Sequence, residues 1–196
     1  MKAALALDYG KLSIENVTLD PPRAGEVMIK MAATGVCYSD LSVLNGAVPM
    51  PLPLALGHEG AGVVQAVGAG VSKVAPGDHV VLSFIPSCGE CYFCDHHEPH
   101  LCAASSPEGR MLDGSTRLHL DGREIGAMAM LGCMAEYAVV PAISVMKIDR
   151  SVLTSKPTTS RNLTSELGVN FEMCCSWYLT GLKYSSASST SGQRLR

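Results

Sequence analysis

The sequence has few aromatic residues, no excess of basic charge and no long apolar run. Aromatic side chains make up 5% of the 196 residues, and the net charge of −3 offers no basic surface for nucleic acid. No apolar stretch approaches the length of a membrane-spanning helix. The apolar run in the N-terminal "MKAALALDYG" is too short for the hydrophobic region of a signal peptide. These absences predict a cytoplasmic protein without a nucleic-acid or membrane partner.

The composition divides the chain near residue 150. Residues 1–150 contain 16 of the 19 glycines and all six histidines, whereas residues 151–196 hold ten Ser and six Thr among 46 residues. A hydrophobic content of 47% is enough for a folded core. We expect one folded domain over residues 1–150 and a divergent Ser/Thr-rich C-terminal segment, irregular or disordered, over residues 151–196.

Strand patterns dominate the first part. "EVMIKMAA" alternates, with Val27, Ile29 and Met31 on one face. "GAGVVQAVGAGV" suits a bent or bulged strand pair, and "PGDHVVLSF" and "AEYAVVP" each contain a short strand. Long amphipathic helical periodicity is missing. The pattern predicts a mainly β fold, a small and partly open barrel.

Four cysteines fall within the fifteen residues "CGECYFCDHHEPHLC": Cys88, Cys91, Cys94 and Cys102. Thiols stay reduced in the cytoplasm, so this spacing favours a metal site over disulfides. Two C-x-x-C steps and a short return loop can direct four thiolates to one Zn²⁺, a shell that leaves no place for a substrate. The pattern predicts a structural zinc site.

Other uses of these cysteines stay open. An iron–sulfur cluster also takes four thiolates, although the usual Cys-Pro ending is missing here, and a redox pair would need a βαβ setting. Three nearby histidines are expected to face solvent: His96, His97 and His100.

A second constellation joins "GVCYSD" to "GHEGAGVV". Cys37 and His58 would give a soft thiolate and an imidazole, two ligands suited to an open zinc site. Each has an ordinary alternative, since a lone Cys is often a small buried residue and His58 with Glu59 is a common polar pair at a turn.

Six blocks occur in order along residues 1–150: "GVCYSD", "GHEGAGVV", "PGDHVVL", the four-cysteine loop, "LDGSTRLHLDG" and "AEYAVVP". Together they resemble the N-terminal catalytic domain of the zinc-dependent medium-chain alcohol dehydrogenases, which has a GroES-like β fold. The resemblance implies that Cys37 and His58 bind a catalytic zinc that Glu59 approaches from behind. It also implies that Ser39 passes the alcohol proton toward solvent and that Asp40 orients the imidazole.

The activity implied by this resemblance is oxidation of a small alcohol to an aldehyde or ketone, with hydride transfer to NAD(P). The family binds that cofactor on a Rossmann domain, whereas "GAGVVQ" and "GAGVSK" here both lack the third glycine of the fingerprint. We therefore expect a truncated form that lacks the cofactor domain and is inactive alone. Cys174 or Cys175 could supply the family's third zinc ligand, although no surrounding motif supports either.

Two other functions remain possible on the sequence. One is a non-catalytic zinc-binding β module that acts through protein contacts. The other is an enzyme whose zinc performs hydration or isomerisation without NAD.

Overall fold

The structure is a computed structural model that describes residues 1–84, 87–102 and 109–150. The Ser/Thr-rich segment over 151–196, with Cys174 and Cys175, lies outside the described residues. Eleven strands occur within the described part. Their bounds are β1 Lys2–Asp8, β2 Lys11–Asn16, β3 Thr18–Leu19, β4 Glu26–Thr34, β5 Leu54–Ala55, β6 Gly60–Val67, β7 His79–Leu82, β8 Leu118–Leu120, β9 Arg123–Ala127, β10 Tyr137–Pro141 and β11 Val145–Lys147.

The strands form two sheets. One has six strands in the order β2-β1-β5-β9-β8-β3, and the other has five in the order β10-β4-β6-β7-β11. All pairings are antiparallel except β5 with β9. Helices are short: α1 Tyr38–Leu44, α2 Tyr92–Asp95, and 3₁₀ turns at Pro99–Leu101, Met128–Met130 and Ala142–Ser144. The predicted mainly β fold is confirmed. No helix in the described part is both long enough and apolar enough to span a membrane.

Strand β4 is central to the five-stranded sheet and shows the predicted alternation. Val27, Ile29 and Met31 are buried in one core cluster with residues from β6, β7 and β10. The register between β4 and β6 shifts twice, once between Met28 and Ile29 and again before Ala33. The first shift leaves an extra residue in β6 and the second leaves one in β4, so β6 is bulged, as its sequence predicts, and β4 is bulged as well.

Strand β1 is buried on both faces. Ala4 and Ala6 face one cluster together with residues of helix α1, while Ala3 and Leu5 face another with residues of β8 and β9. Three of these four side chains are methyl groups, so the elements on either side can approach the strand closely.

Helix α1 is an element that the sequence did not specify. Cys37 precedes it in an extended conformation, and the carboxylate of Asp40 accepts a hydrogen bond from the Cys37 N–H at 2.9 Å. This contact caps the N-terminus of the helix. Val43 and Leu44 anchor its other end in the cluster below β1. With only seven residues the helix shows too little periodicity to be recognised from sequence.

A buried ion pair joins the start of β4 to the start of β8. Arg117 and Glu26 are 2% and 6% exposed, and Arg117 Nε donates to Glu26 Oε2 at 2.8 Å. The second guanidinium nitrogen bonds both Glu26 and Asp113. Burial disfavours charge here, yet hydrogen bonds from Ser115 and Arg117 keep the pKa of Asp113 well below its usual range. This network accounts for the "LDGSTRL" block.

Removing the acid of this buried pair should destabilise the fold. Glu26→Gln leaves the buried Arg117 guanidinium with the partly exposed Asp113 carboxylate as its remaining countercharge, and we expect the free energy of unfolding to fall by about 3 kcal/mol, the lower end of the range for a broken buried pair. The matched control is Glu124→Gln, which breaks an exposed pair with Arg110 and should cost less than about 1 kcal/mol. Urea unfolding of the two variants makes the comparison. Equal losses would show that the buried pair contributes no more than the exposed one.

Candidate metal centres

The four predicted cysteines converge on one point. We call them the four-cysteine cluster: Cys88, Cys91, Cys94 and Cys102. Helix α2 begins after Cys91 and carries Cys94, and Cys102 follows the 3₁₀ turn at Pro99–Leu101. The Sγ atoms of Cys91 and Cys94 are 3.6 Å apart, and those of Cys91 and Cys102 are 4.0 Å apart.

These spacings fit tetrahedral zinc. Four sulfurs at roughly 2.3 Å from a central ion lie about 3.8 Å from one another, close to the separations in this cluster. Desolvation, with neighbouring thiols adding to it, raises the pKa of Cys94 to about 11, so a metal ion must displace protons to bind. The Cys88 N–H donates to Cys102 Sγ at 3.2 Å, a bond that suits a thiolate. His96, His97 and His100 are exposed, as expected.

A second group combines three residues from two segments. Cys37, His58 and Glu59 each offer one ligand atom, and these atoms lie within 4.8 Å of one another. We call this group the Cys37 cluster. Cys37 stands at the N-terminus of α1, and His58 and Glu59 lie immediately before β6. The structure thus brings together the three residues that the sequence suggested for a catalytic zinc.

Asp40 ties the two segments of the Cys37 cluster together. Its side chain is 1% exposed, with one oxygen accepting the Cys37 N–H at 2.9 Å and the other accepting the Gly57 N–H at 3.0 Å. The same second oxygen lies 3.4 Å from His58 Nδ1, a charge contact longer than a well-formed hydrogen bond. Asp40 therefore both caps the helix and faces the imidazole, which turns Nε2 toward the cluster.

The electrostatics of the cluster favour a thiolate beside an imidazolium. The Asp40 carboxylate raises the pKa of His58 to about 9, although burial opposes the shift. Hydrogen bonding to Ser39, supported by His58, lowers the pKa of the Cys37 thiol. The Ser39 hydroxyl lies 3.4 Å from Cys37 Sγ and is exposed. A divalent cation bound at this cluster would displace the His58 proton and hold the Cys37 sulfur as a thiolate.

Phe84 is a site residue that the sequence analysis missed. Its ring meets the His58 imidazole edge to face, with centroids 5.6 Å apart, and 52% of the residue is exposed. It places an apolar surface beside the Cys37 cluster. The residue stands in "VLSFIPSC", after β7 and just before the four-cysteine loop, and no local pattern links it to a histidine 26 positions earlier.

Both G-x-G stretches belong to the barrel. Gly60–Gly62 lies in β6, and the Gly68–Gly70 turn follows it, with β7 as the next strand. A dinucleotide fingerprint needs a strand followed by a helix whose N-terminus faces the phosphates. Gly60, Gly62 and Gly68 serve close packing instead, since a Cβ at Gly68 would overlap the Arg23 carbonyl, whereas Gly70 has a φ of +79° in the turn.

Comparison with known proteins gives a consistent result. The family model of the alcohol dehydrogenase GroES-like domain matches residues 23–150. The chain is 48% identical over 151 residues to the NDMA-dependent alcohol dehydrogenase of Amycolatopsis methanolica, covering 76% of this chain and 41% of that protein.

Two solved structures are similar as well. An alcohol dehydrogenase zinc-binding domain protein from Burkholderia ambifaria superposes with a TM-score of 0.71 at 37% identity, over 76% of this chain and 42% of that one. The benzyl alcohol dehydrogenase of Acinetobacter calcoaceticus gives 0.69 at 28% identity, over 96% and 50%. The predicted GroES-like fold is confirmed, and the chain spans between 41% and 50% of the length of these three proteins.

The four-cysteine cluster should hold one tightly bound zinc per chain. Its thiolate shell is closed, so mild chelation should leave about one equivalent bound, and Cys102→Ser should lose it and lower the melting temperature. Elemental analysis and thermal unfolding measure the two effects. Cys133→Ala is the matched control, because Cys133 is buried outside both clusters and its loss should leave the metal in place. Iron with visible charge-transfer absorption would contradict this assignment.

Metal uptake at the Cys37 cluster should increase with pH. With its pKa at about 9, His58 carries a proton at neutral pH and must release it before Nε2 can bind. The imidazolium predominates throughout the neutral range and is lost as the pH rises through about 9. Apparent affinity for Co²⁺ should therefore rise by at least about tenfold per unit between pH 6 and 8.

The measurement is the thiolate-to-cobalt absorption of the wild-type chain minus that of Cys37→Ser. Asp40→Asn should move the rise to lower pH, because it removes the main cause of the raised His58 pKa. An affinity that does not vary with pH would contradict the assigned proton competition.

Proposed function

The chain belongs to the alcohol dehydrogenase family that has a GroES-like domain. We propose that residues 1–150 form the zinc-binding catalytic domain of an enzyme that oxidises an alcohol to an aldehyde or ketone with NAD(P). The observation that carries the proposal is the Cys37 cluster. It is separate from the closed four-cysteine cluster and has fewer ligands than a closed shell requires.

The donor set of the Cys37 cluster fits zinc. One thiolate, one imidazole and one carboxylate oxygen are ligands that zinc accepts, and three protein ligands are typical of catalytic sites that keep a position for substrate. Zinc bound there would act as a Lewis acid that lowers the pKa of an alcohol hydroxyl. The four-cysteine cluster would take a second, structural zinc.

Ser39 is the group proposed to move the alcohol proton. Its hydroxyl can accept one hydrogen bond while donating another, lies 3.4 Å from Cys37 Sγ, and is exposed on the first turn of α1. A proton received at Ser39 Oγ can therefore pass to solvent. Asp40 is less suited to this task, because both of its oxygens accept backbone N–H groups; its proposed role is to orient His58.

Phe84 supports a substrate with an apolar portion. Its half-exposed ring stands beside His58, so an alcohol carbon chain or ring entering the Cys37 cluster would contact it. A neighbour in structure is a benzyl alcohol dehydrogenase, which makes benzyl alcohol a reasonable probe.

The nicotinamide cofactor is proposed to bind outside the described residues. Gly60–Gly62 and Gly68–Gly70 are the only G-x-G stretches of the whole sequence, and both serve the barrel. Hydride transfer needs the nicotinamide ring within roughly 3–3.5 Å of the substrate carbon. We therefore expect the 196-residue polypeptide by itself to bind metal and alcohol without oxidising the alcohol.

The test separates alcohol binding from turnover. Benzyl alcohol added to the cobalt-substituted polypeptide should shift the cobalt bands that depend on Cys37, while NADH fluorescence should show no saturable binding and no NADH should form from NAD⁺. Ser39→Ala should keep the alcohol-induced shift, because Ser39 is not a ligand.

Two outcomes would contradict these expectations. Saturable NADH binding, with turnover abolished by Cys37→Ala, would show that the polypeptide alone is a complete enzyme. Bands unaffected by benzyl alcohol would favour a non-catalytic zinc-binding module, a function for which the closed four-cysteine cluster alone would suffice.

A further inference from the structure

The carboxylate of Glu59 lies directly against the backbone of Gly35. A Cβ atom at residue 35 would stand 2.1 Å from Glu59 Oε2 and 3.1 Å from Glu59 Cδ, so no residue with a side chain could occupy this position without moving the glutamate. We propose that Gly35 is a positioning residue whose missing side chain leaves room for the Glu59 carboxylate beside Cys37 and His58. This inference rests on the proposed metal-binding function of that cluster.

The backbone conformation of Gly35 gives no other reason for glycine. Its φ lies outside the left-handed region that disfavours L-residues, and all three atoms nearest to an added Cβ belong to Glu59. Alanine could therefore adopt the same backbone angles. The three closest contacts created by Gly35→Ala are all with Glu59, which makes the substitution a probe of that contact.

The Glu59 backbone is restrained and has little freedom to relieve the conflict with its carboxylate. Its carbonyl oxygen accepts hydrogen bonds from Thr34 Oγ1 and from the Gly35 N–H, each at 2.9 Å. The next residue, Gly60, pairs with Thr34 across β4 and β6. On the opposite side, a Cβ at Gly60 would stand 2.6 Å from the sulfur of the buried Cys133. The Glu59 peptide is thus held between two packed segments.

The Glu59 side chain, in contrast, has room to leave. It is 38% exposed, and its Oε1 lies 4.0 Å from His58 Nε2, beyond hydrogen-bond distance. A methyl group at residue 35 would therefore turn the carboxylate out toward solvent, while its 3.0 Å contact with Glu59 Cβ would require a small shift between the two segments. The Cys37 cluster would keep its thiolate and imidazole and lose the carboxylate, even though residue 35 is not itself a ligand.

A double-mutant cycle tests the contact. Co²⁺ affinity of the Cys37 cluster is measured in the full chain for the wild type, Gly35→Ala, Glu59→Ala and the double variant, each corrected with a matched Cys37→Ser form. Gly35→Ala and Glu59→Ala should each weaken binding by about 10–100-fold. In the Glu59→Ala background, Gly35→Ala should add less than about threefold, because the group it displaces is already gone.

Two further measurements separate positioning from general damage. The cobalt bands of the four-cysteine cluster should be the same in all four proteins. Gly62→Ala is a control within β6, since its added Cβ meets the Lys30 carbonyl and Ile29 rather than the cluster; it should lower the melting temperature while leaving Co²⁺ affinity of the folded protein unchanged.

The outcomes distinguish this inference from the proposed function. Equal losses from Gly35→Ala in both Glu59 backgrounds, or wild-type affinity in Gly35→Ala, would overturn the role of Gly35 and leave the metal site intact. If the wild type shows no cobalt signal that depends on Cys37, the proposed function fails and the role of Gly35 fails with it.

Discussion

The buried carboxylate of Asp40 is the constraint on which the Cys37 cluster depends. A charge that is 1% exposed is costly unless it is hydrogen-bonded, and this one is satisfied by the N–H groups of Cys37 and Gly57 and by the facing imidazole. Those partners come from the start of α1 and from the segment before β6. Satisfying one charge therefore fixes both segments relative to each other, and it places the thiolate and the imidazole on the same side.

Close backbone approach explains the glycines around this cluster. Gly57 has a φ of +95°, and a Cβ there would stand 2.6 Å from the backbone nitrogen of Met134. Gly60 lies against Cys133 in the same way, and Gly35 lies against Glu59. A glycine-rich stretch can indicate a phosphate-binding turn, but here the glycines let three segments pack at distances that a side chain would prevent.

The features that the sequence could predict are the local ones. The four-cysteine cluster is readable because all its ligands fall within fifteen residues, and the burial of Val27, Ile29 and Met31 is readable because β4 alternates. The contact of Phe84 with His58 and the pairing of Arg117 with Glu26 join residues 26 and 91 positions apart. No periodicity in the sequence indicates such contacts, since they depend on how β4, β6 and β8 are arranged in the sheets. Cys37 and His58 could be paired as candidate ligands by residue type, but Glu59 joined them only through a resemblance, because nothing in their spacing brings α1 next to β6.

The two clusters differ in what a metal would contribute. Neither α2 nor the 3₁₀ turn at Pro99–Leu101 contains a buried residue, so the four-cysteine lobe has little apolar core of its own. The free energy of metal binding there would stabilise the folded lobe. The Cys37 cluster stands instead on β4, β6 and α1, whose packed side chains and Asp40 contacts already fix its ligands. A metal bound at such a preorganised site does not have to fold the protein around itself, and three protein ligands would leave it a coordination position for a substrate. The cluster with a closed set of ligands thus lies in a lobe with little core, whereas the cluster with an open set of ligands is supported by the rigid barrel. This division of support is the physical argument for the proposed structural role of the four-cysteine cluster and the proposed catalytic role of the Cys37 cluster.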